Sequence, residues 1–256
     1  MNARRRLDGE LVRRGLAESR ARADELIRDD RVLVNGAVAT KPARQVAPGD
    51  AIVVEGPPPR FVGRGAEKLD HALDEFGIDV TGMRFLDAGA STGGFTDCLL
   101  QRGAAHVVAA DVGHGQLHER LRADERVTNL ERLNVRTLTV DQIGGLVDGV
   151  VADLSFISLR LVIEPLAAVC QPVSPMVLLV KPQFEAGRAE VSRGRGVVTD
   201  PDVHARVRDV VADALVAAEC EIAGWTTSPI TGADGNVEFL VHAVSPGGAH
   251  SSDEPS

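Results

Sequence analysis

The sequence predicts an α/β protein in which a small N-terminal α+β domain precedes a larger, doubly wound domain with a mostly parallel sheet. Two observations predict this class. Short apolar runs recur along residues 84–244 with helical patterns between most of them, and the charge balance differs between the first 60 residues and the rest. Strands that alternate with helices are typical of a parallel sheet covered by helices on both faces.

The segment from Phe85 to Asp111 carries the strongest local signal. The run Phe85-Leu86-Asp87 ends in an acid and is followed by a glycine-rich turn, and the next apolar run, Val107 to Asp111, also ends in an acid. This order is typical of the first β-loop-α-β unit of a doubly wound sheet, whose loop wraps a nucleotide-like ligand. A tight turn without a ligand is the alternative, and two acids at successive strand ends weigh against it.

The glycine-rich loop reads Asp87-x-Gly89-x-x-x-Gly93-Gly94 and lacks the strict G-x-G-x-x-G of a dinucleotide site. It therefore suits a ligand with no pyrophosphate to place at a helix N-terminus. We expect Asp111 to accept hydrogen bonds from ribose hydroxyls, as an acid at the end of the second strand does in such folds. The pattern favours S-adenosylmethionine over NAD.

The larger domain is predicted to contain seven strands. A helix is predicted over 66–76, and the strands are predicted at 84–87, 106–111, 126–130, 147–153, 175–181, 222–228 and 237–244. The last two are joined by the short glycine-rich segment 231–235, which is too short for a parallel crossover. We therefore predict that the final strand is antiparallel.

The chain is acidic overall, but its N-terminal part is basic. The net charge is −9, whereas residues 1–60 hold 12 Lys and Arg against 9 Asp and Glu, which leaves 16 against 28 for the remainder. This asymmetry indicates that the N-terminal part meets a polyanion. The stiff segment Pro57-Pro58-Pro59 indicates a linker, so the predicted organisation is a domain over 1–55, a linker over 56–65, a second domain over 66–245 and a disordered tail over 246–256.

Residues 7–54 are predicted to form two helices and several strands. Leu7 and Leu11 share a helical face that ends near Gly15, and Ser19 caps a second helix on which Ala23, Leu26 and Ile27 recur at helical spacing. Val32 to Val34 and Ala37-Val38 flank Asn35-Gly36, the signature of a hairpin turn. The turn Pro48-Gly49-Asp50 leads into a further strand over 51–54.

This arrangement resembles the S4 domain, an RNA-binding module. The sequence departs from the family's pattern at Asp30, where glycine often closes the second helix. The resemblance implies that the arginines near and on this helix contact phosphates, whereas a solvated helix face is the alternative. The predicted RNA-binding residues here are Arg4, Arg6, Arg20, Arg22 and Arg28.

Composition argues against several other classes. No apolar run approaches the length of roughly 18 residues that a transmembrane helix needs, and the N-terminus lacks the apolar stretch of a signal peptide. The three cysteines are widely spaced without a zinc-binding pattern. We therefore expect a cytoplasmic protein with reduced cysteines, no resident metal and no membrane partner.

Four ionisable residues mark the predicted site of chemistry. Asp153 and Lys181 end the fourth and fifth predicted strands, Glu238 opens the last, and Lys68 lies on the helix before the first. A lysine at the end of an aliphatic run needs carboxylate partners or a reason to lose its proton. Methyl transfer to an alcohol supplies that reason, because a base must take the hydroxyl proton. An ordinary buried ion-pair network is the alternative.

The order Lys68, Asp153, Lys181, Glu238 resembles the catalytic tetrad of FtsJ-like RNA 2′-O-methyltransferases. The S4-like domain, the segment Arg60-Phe61-Val62-x-Arg64-Gly65, the loop 87–96, the run 152–158 and the run 179–185 together resemble the TlyA family, over residues 7 to about 244. That family methylates the 2′-hydroxyl of cytidine in ribosomal RNA, and its members are also known as haemolysins. The resemblance implies that Lys181 is the base, that Asp153 and Glu238 set its charge and position, and that Lys68 orients the ribose.

The resemblance also implies a set of binding residues. Asn134 would lie near the adenine, although a turn asparagine is the alternative. The predicted cofactor-binding residues are Asp87, Gly89, Ala90, Ser91, Thr92, Gly93, Gly94, Phe95, Asp111, Val112, Asn134 and Asp153. The further predicted RNA-binding residues are Arg60, Arg64, Phe156 and Arg188.

Phe156 follows the catalytic acid and is suited to stack on a flipped base, with core packing as the alternative. Phe184 precedes the Gly/Arg-rich stretch 186–196, a candidate RNA lid, which we expect to carry it away from the site. The competing functions are methylation of another RNA, an NAD-linked enzyme of the doubly wound class, and a membrane-lytic protein. The S4-like region disfavours the second, and the lack of a long amphipathic segment disfavours the third.

Overall fold

The computed structural model describes residues 4–17, 19–56, 60–187, 190, 194, 196–232 and 235–247. The chain divides into two compact units, Met1–Pro59 and Arg60–Ser256. The division falls inside the predicted linker. The predicted tail lies largely outside the described residues, and its disorder stays a prediction.

The first unit is a small α+β domain. It consists of β1 (Arg5–Arg6), α1 (Leu7–Arg13), α2 (Arg20–Arg28), β2 (Val32–Val34), β3 (Ala37–Val38), β4 (Gln45–Val46) and β5 (Ile52–Val54). Strand β2 pairs antiparallel with β3 and β5, and β1 pairs antiparallel with β4. Both helices bury apolar side chains in one small core that includes Leu7, Leu11, Leu26 and Ile27.

Local sequence signals set the elements of this unit. The Ser19 hydroxyl accepts a hydrogen bond from the Arg22 backbone N–H at 3.1 Å, so it caps α2 as predicted. Asn35 and Gly36 adopt φ values of 54° and 80°, which the two-residue hairpin turn between β2 and β3 requires. Asp30, where the S4 pattern often has glycine, has φ 56°. It therefore adopts the left-handed conformation that glycine adopts more readily.

The second unit is a doubly wound α/β domain. Its helices are α3 (Gly65–Phe76), α4 (Gly94–Gln101), α5 (Glu119–Arg122), α6 (Val140–Ile143), α7 (Ile163–Ala167), α8 (Pro182–Glu185) and α9 (Pro201–Ala217). Its strands are β6 (Arg84–Ala88), β7 (His106–Asp111), β8 (Val127–Glu131), β9 (Gly149–Ala152), β10 (Pro175–Val180), β11 (Glu221–Thr227) and β12 (Phe239–Val244). Short 3₁₀ turns span Val135–Thr137 and Leu159–Leu161.

The strands form one mixed sheet in the order β11-β12-β10-β9-β6-β7-β8. The ladders from β10 through β8 are parallel, whereas β12 pairs antiparallel with both β10 and β11. The predicted fold class and the antiparallel final strand are therefore confirmed. Within the described residues, no helix is both long enough and apolar enough to cross a membrane.

Apolar side chains cover both faces of this sheet, because successive strand residues point to opposite sides. On one face Leu86 and Leu178 pack in a core with Val207 of α9. On the other face Phe85 and Leu179 pack in a core with Leu69 of α3. The three cysteines are free and buried.

Candidate functional site

The polar residues predicted to carry the chemistry gather at one edge of the large sheet. Asp111 ends β7, while Asp153 and Lys181 directly follow β9 and β10, which are parallel neighbours. Because β12 runs antiparallel to β10 with Phe239 opposite Val180, Glu238 lies at the same edge. Ligands of doubly wound folds bind outside this edge, where the parallel strands end.

Lys181 is paired with Asp153. Its Nζ lies 2.5 Å from Asp153 Oδ1 and donates a hydrogen bond to Ser155 Oγ at 2.9 Å. The Lys181 side chain is 11% exposed, so it is largely buried while still bordering the surface. The family resemblance implied that Asp153 and Glu238 both set the charge and position of Lys181, and the structure pairs Lys181 with Asp153. Ser155 had no predicted role. The only sequence signal for Ser155 was its place in the run Asp153-Leu154-Ser155-Phe156.

Glu238 is paired with Lys68. Nζ of Lys68 lies 2.5 Å from Oε2 of Glu238, and both side chains are buried. The four predicted catalytic residues thus form two ion pairs, in which Glu238 contacts Lys68 while Lys181 contacts Asp153. The first turn of α3 approaches the second pair, because a Cβ placed on Gly65 would lie 3.7 Å from Asp153 Oδ2.

The glycine-rich loop joins β6 to α4 through backbone conformations that favour glycine. Gly89 and Gly93 have φ values of 86° and 97°, and Ser91 has φ 49°. Gly89 also lies against the end of β9, where a Cβ would be 2.5 Å from the carbonyl oxygen of Asp153. Gly94 approaches α3, since its Cβ would lie 3.1 Å from the Ala66 nitrogen.

The remaining residues predicted to bind the cofactor differ in solvent exposure. Ser91 and Thr92 are exposed, Val112 is 75% exposed beside Asp111, and Ala90 is buried at the cleft wall. The Phe95 side chain is buried in the core that α3 covers, so it supports the loop from behind.

Asp111 holds the turns on both sides of a cleft. Its Oδ2 accepts a hydrogen bond from the Ser91 N–H at 2.8 Å, and its Oδ1 accepts one from the Gly113 N–H at 2.7 Å. The cleft is lined by Ala90, Ser91, Asp111, Gly113, Gln116, Leu117, Asn129 and Glu131. Sequence reasoning missed the last five of these. Glu131 ends β8 as Asp111 ends β7, and this repetition was a signal that could have identified Glu131.

Asn134 caps a turn. Its Oδ1 accepts a hydrogen bond from the Arg136 N–H at 3.0 Å and begins the 3₁₀ turn Val135–Thr137. The turn role that the sequence left open is therefore present. Contact with an adenine stays a prediction.

Asp87 is the most deeply buried carboxyl of this edge. It is fully buried, and burial raises its pKa to about 7, with the nearby carboxylates of Asp153 and Asp111 acting in the same direction. Its Oδ2 accepts a hydrogen bond from Thr96 Oγ1 at 2.6 Å, while its Oδ1 has no hydrogen-bond partner among the described residues. A buried carboxyl oxygen without a donor is costly, which indicates a place for a donor or a cation.

Phe156 is 91% exposed and has φ 65°. A bulky residue in the left-handed region is strained, and such strain is concentrated at functional sites. The alternative prediction, that Phe156 packs in the core, is therefore wrong. The expectation that Phe184 lies far from the site is also wrong, because α8 forms directly after Lys181 and leaves the Phe184 ring centroid 5.3 Å from that of Phe156.

The predicted RNA-binding arginines fall into two groups. Arg4, Arg20 and Arg64 are exposed. The others form ion pairs at the surface, namely Arg6 with Asp8, Arg22 with Glu25, Arg28 with Asp24 and Arg60 with Asp70. Arg22 is the least accessible, with 15% of its side chain exposed. Arg188 lies outside the described residues.

No group of three or more His, Cys, Asp or Glu residues suited to hold a metal ion occurs in the part of the chain that the structure describes.

Comparison with known proteins gives two family matches. The FtsJ-like methyltransferase model matches residues 61–244, and the S4 domain model matches residues 5–52. The chain is 52% identical to the 16S/23S rRNA (cytidine-2′-O)-methyltransferase TlyA of Mycobacterium tuberculosis, over 94% of this chain and 90% of that protein. It is 39% identical to Hemolysin A of Brachyspira hyodysenteriae, over 93% and 99% of the two chains.

A solved structure agrees with these matches. The "Putative hemolysin from Streptococcus thermophilus" superposes with a TM-score of 0.76 at 38% sequence identity, covering 96% of this chain and 90% of that one. The resemblance inferred from the motifs is thereby confirmed. The chain belongs to the FtsJ-like methyltransferase family, is a relative of TlyA, and carries an N-terminal S4 domain.

Proposed function

We propose that this protein is an S-adenosylmethionine-dependent methyltransferase that modifies the 2′-hydroxyl of a cytidine in ribosomal RNA. The ion pair between Lys181 and Asp153 carries the proposal, because it places a lysine beside the cofactor loop at the edge where the parallel strands end. The high identity to a protein named for this reaction supports the substrate class. A ribosomal RNA substrate also implies a cytoplasmic location.

The residues of the site fit S-adenosylmethionine. This cofactor is a cation with a ribose. The cleft presents the Asp111 carboxylate, and the buried Asp87 carboxyl, which lacks a second donor, lies near the end of β6, just before the glycine-rich loop. Gly89 lets the loop lie against the end of β9, where a side chain would clash with the carbonyl oxygen of Asp153. Asp111 would hold the ribose, and the loop from Gly89 to Gly93 would wrap the rest. When bound, the cofactor supplies a methyl group activated by a sulfonium centre.

The protein's own residues then handle the ribose hydroxyl. A sugar hydroxyl must lose its proton as it attacks, so a base has to be held within hydrogen-bond distance of it. In its neutral form Lys181 accepts that proton at Nζ, while Asp153 holds the amine in place and stabilises the ammonium that forms. Ser155 accepts a hydrogen bond from the same nitrogen and so restricts its direction. Positioning of this kind contributes much of the rate of a bimolecular reaction.

Lys68 and Glu238 have a separate task. Because they form a buried pair of their own, each neutralises the other, and the remaining donors of Lys68 are available to orient the ribose. Phe156 is proposed to stack on the target base once it is turned out of its helix. Its exposure and its strained backbone support this role.

The proposal is tested by incubating the purified protein with ribosomal RNA and S-adenosylmethionine carrying an isotopic methyl label, then digesting the RNA to nucleosides. Mass spectrometry is expected to find the label in 2′-O-methylcytidine. Label in another 2′-O-methylated nucleoside would show that the target nucleotide is not cytidine, and label on a base would refute ribose methylation. Leakage from lipid vesicles in a parallel assay would support the membrane-lytic alternative.

A further inference from the structure

The two segments that carry the catalytic lysine and its acid are also joined at a second place, by Glu185. This residue ends α8, four residues after Lys181, and its side chain is buried. Glu185 Oε2 accepts a hydrogen bond from Ser158 Oγ at 2.5 Å, and Oε1 accepts one from the Leu159 N–H at 2.8 Å. Both donors belong to the segment that follows Asp153.

The β-ladder pairs the two segments only as far as their strand ends. Strand β9 delivers Asp153 and β10 delivers Lys181, but beyond these strands the ladder no longer holds the two segments together. Lys181 contacts Asp153 and Ser155 at one end of the junction. Glu185 contacts Ser158 and Leu159 at the other end. Between these two points the Phe156 and Phe184 rings pack against each other at an interplanar angle of 50°.

Glu185 caps the 3₁₀ turn Leu159–Leu161 from a different segment of the chain. The 3₁₀ turn Leu159–Leu161 begins with Ser158, whose Oγ accepts a hydrogen bond from the Arg160 N–H at 3.3 Å while donating to Glu185. Burial raises the pKa of Glu185, and its bonds to Ser158 and Leu159 oppose that rise. A buried carboxyl group that depends on two donors allows little freedom of position, because losing either bond leaves a buried polar group unpaired.

We propose that Glu185 is a positioning residue for methyl transfer. It fixes the segment of Asp153 and Ser155 against the segment of Lys181, and so sets where Lys181 Nζ stands relative to the ribose hydroxyl. The inference rests on the proposed function. It adds a residue that touches neither the reacting atoms nor the cofactor loop and that nonetheless controls the rate of the chemical step.

The test compares kcat, the KM for ribosomal RNA and the Kd for S-adenosylmethionine among Glu185→Ala, Glu185→Gln and Ser158→Ala. Misplacing a catalytic group by about 1 Å can cost on the order of 100-fold in rate, so we expect Glu185→Ala to lower kcat at least about 10-fold. KM and Kd should stay within about 2-fold. Glu185→Gln keeps one acceptor oxygen and should recover part of the loss.

A matched control separates positioning from general loss of stability. Val147 is fully buried but lies before β9, at the opposite end of that strand from Asp153. Val147→Ala should lower the melting temperature. At temperatures below that melting temperature its kcat should equal that of the wild type.

Equal loss of kcat in Val147→Ala and Glu185→Ala would overturn the proposal, as would a Glu185→Ala enzyme with wild-type kcat or with a change in KM alone. If Glu185→Ala does not fold, Ser158→Ala decides: a kcat several-fold below wild type supports positioning, and a wild-type kcat overturns it. Absence of methyl transfer by the wild-type protein would refute the proposed function itself, which is a distinct result.

Discussion

Gly89 lies against Asp153 so closely that a Cβ on Gly89 would be 2.5 Å from the Asp153 carbonyl oxygen. The turn that is proposed to wrap the cofactor is thus in contact with the residue that is proposed to hold the base. A change at Gly89 should therefore affect cofactor binding and chemistry together, and this coupling distinguishes it from other glycines with positive φ.

We expect Gly89→Ala to lower affinity for S-adenosylmethionine at least about 10-fold and to lower the single-turnover rate at saturation as well. The left-handed backbone adds a cost of about 1–2 kcal/mol to stability. Gly77→Ala is the control, because Gly77 has φ 65° but no atom within 4 Å of its Cβ position. Gly77→Ala should lower stability without changing the affinity for S-adenosylmethionine or the single-turnover rate. Calorimetry showing wild-type affinity in Gly89→Ala would contradict the placement of the loop.

Asp111→Ala should abolish measurable binding of S-adenosylmethionine. It removes the acceptor proposed for the ribose hydroxyls and also releases the Ser91 and Gly113 N–H groups that the carboxylate holds. Asp124→Ala, which breaks a surface ion pair with Arg126, is a suitable control and should bind normally. Unchanged calorimetric affinity in Asp111→Ala would place the cofactor elsewhere.

The raised pKa of Asp87 predicts that binding of a cationic cofactor depends on pH. The carboxyl group titrates near 7 in the folded protein, and a cation favours the ionised form. Affinity for S-adenosylmethionine should therefore rise between pH 6 and 8, with protons released on binding. The dependence of the binding enthalpy on the ionisation enthalpy of the buffer measures that release, which Asp87→Asn should remove.

The raised pKa of Asp87 has the opposite effect on the stability of the cofactor-free protein, which should decrease as pH rises. Between about pH 4 and 7 folded Asp87 keeps a proton that the unfolded chain has lost, so the free energy of unfolding should fall as pH rises through this window. The slope from this one group is at most about 1.4 kcal/mol per pH unit. Asp87→Asn should flatten it. An unchanged slope in denaturant titrations would mean that Asp87 ionises normally.

Charge reversal at Arg20 should weaken RNA binding without affecting the cofactor. Arg20 is exposed on α2 of the S4 domain, and phosphate contacts made by arginine release counterions. Arg20→Glu should therefore lower affinity for ribosomal RNA and reduce the steepness of its salt dependence. Arg126→Glu, on the large domain and paired with Asp124, is the control. Equal effects from both changes would argue against an RNA role of the S4 domain.

Much of the fold followed from short-range signals. Ser19 was predicted to cap α2, and Asn35-Gly36 to form the hairpin, because each acts through its own backbone neighbours. The strands of the large domain were predicted because apolar runs between turn residues mark a buried parallel sheet. The antiparallel β12 followed from the length of the connection before it.

The partners within the site were harder to predict. Sequence order placed Lys68, Asp153, Lys181 and Glu238 at one edge, but it could not show that Glu238 pairs with Lys68, since that depends on how α3 packs against the sheet. Phe184 was misjudged because a four-residue helix after Lys181 turns the chain back. The hydrogen bonds of Glu185 join residues 26 and 27 positions apart, so no local pattern indicated them.

The most direct test of the account is single-turnover methylation by Lys181→Arg, with RNA and S-adenosylmethionine both saturating, beside Lys181→Ala. Arginine can keep the ion pair with Asp153, but its guanidinium holds its proton at any useful pH. If Lys181 takes the hydroxyl proton, both variants should bind RNA and cofactor normally and transfer the methyl group at a small fraction of the wild-type rate. A Lys181→Arg enzyme that turns over at near the wild-type rate would show that Lys181 serves only as a positive charge.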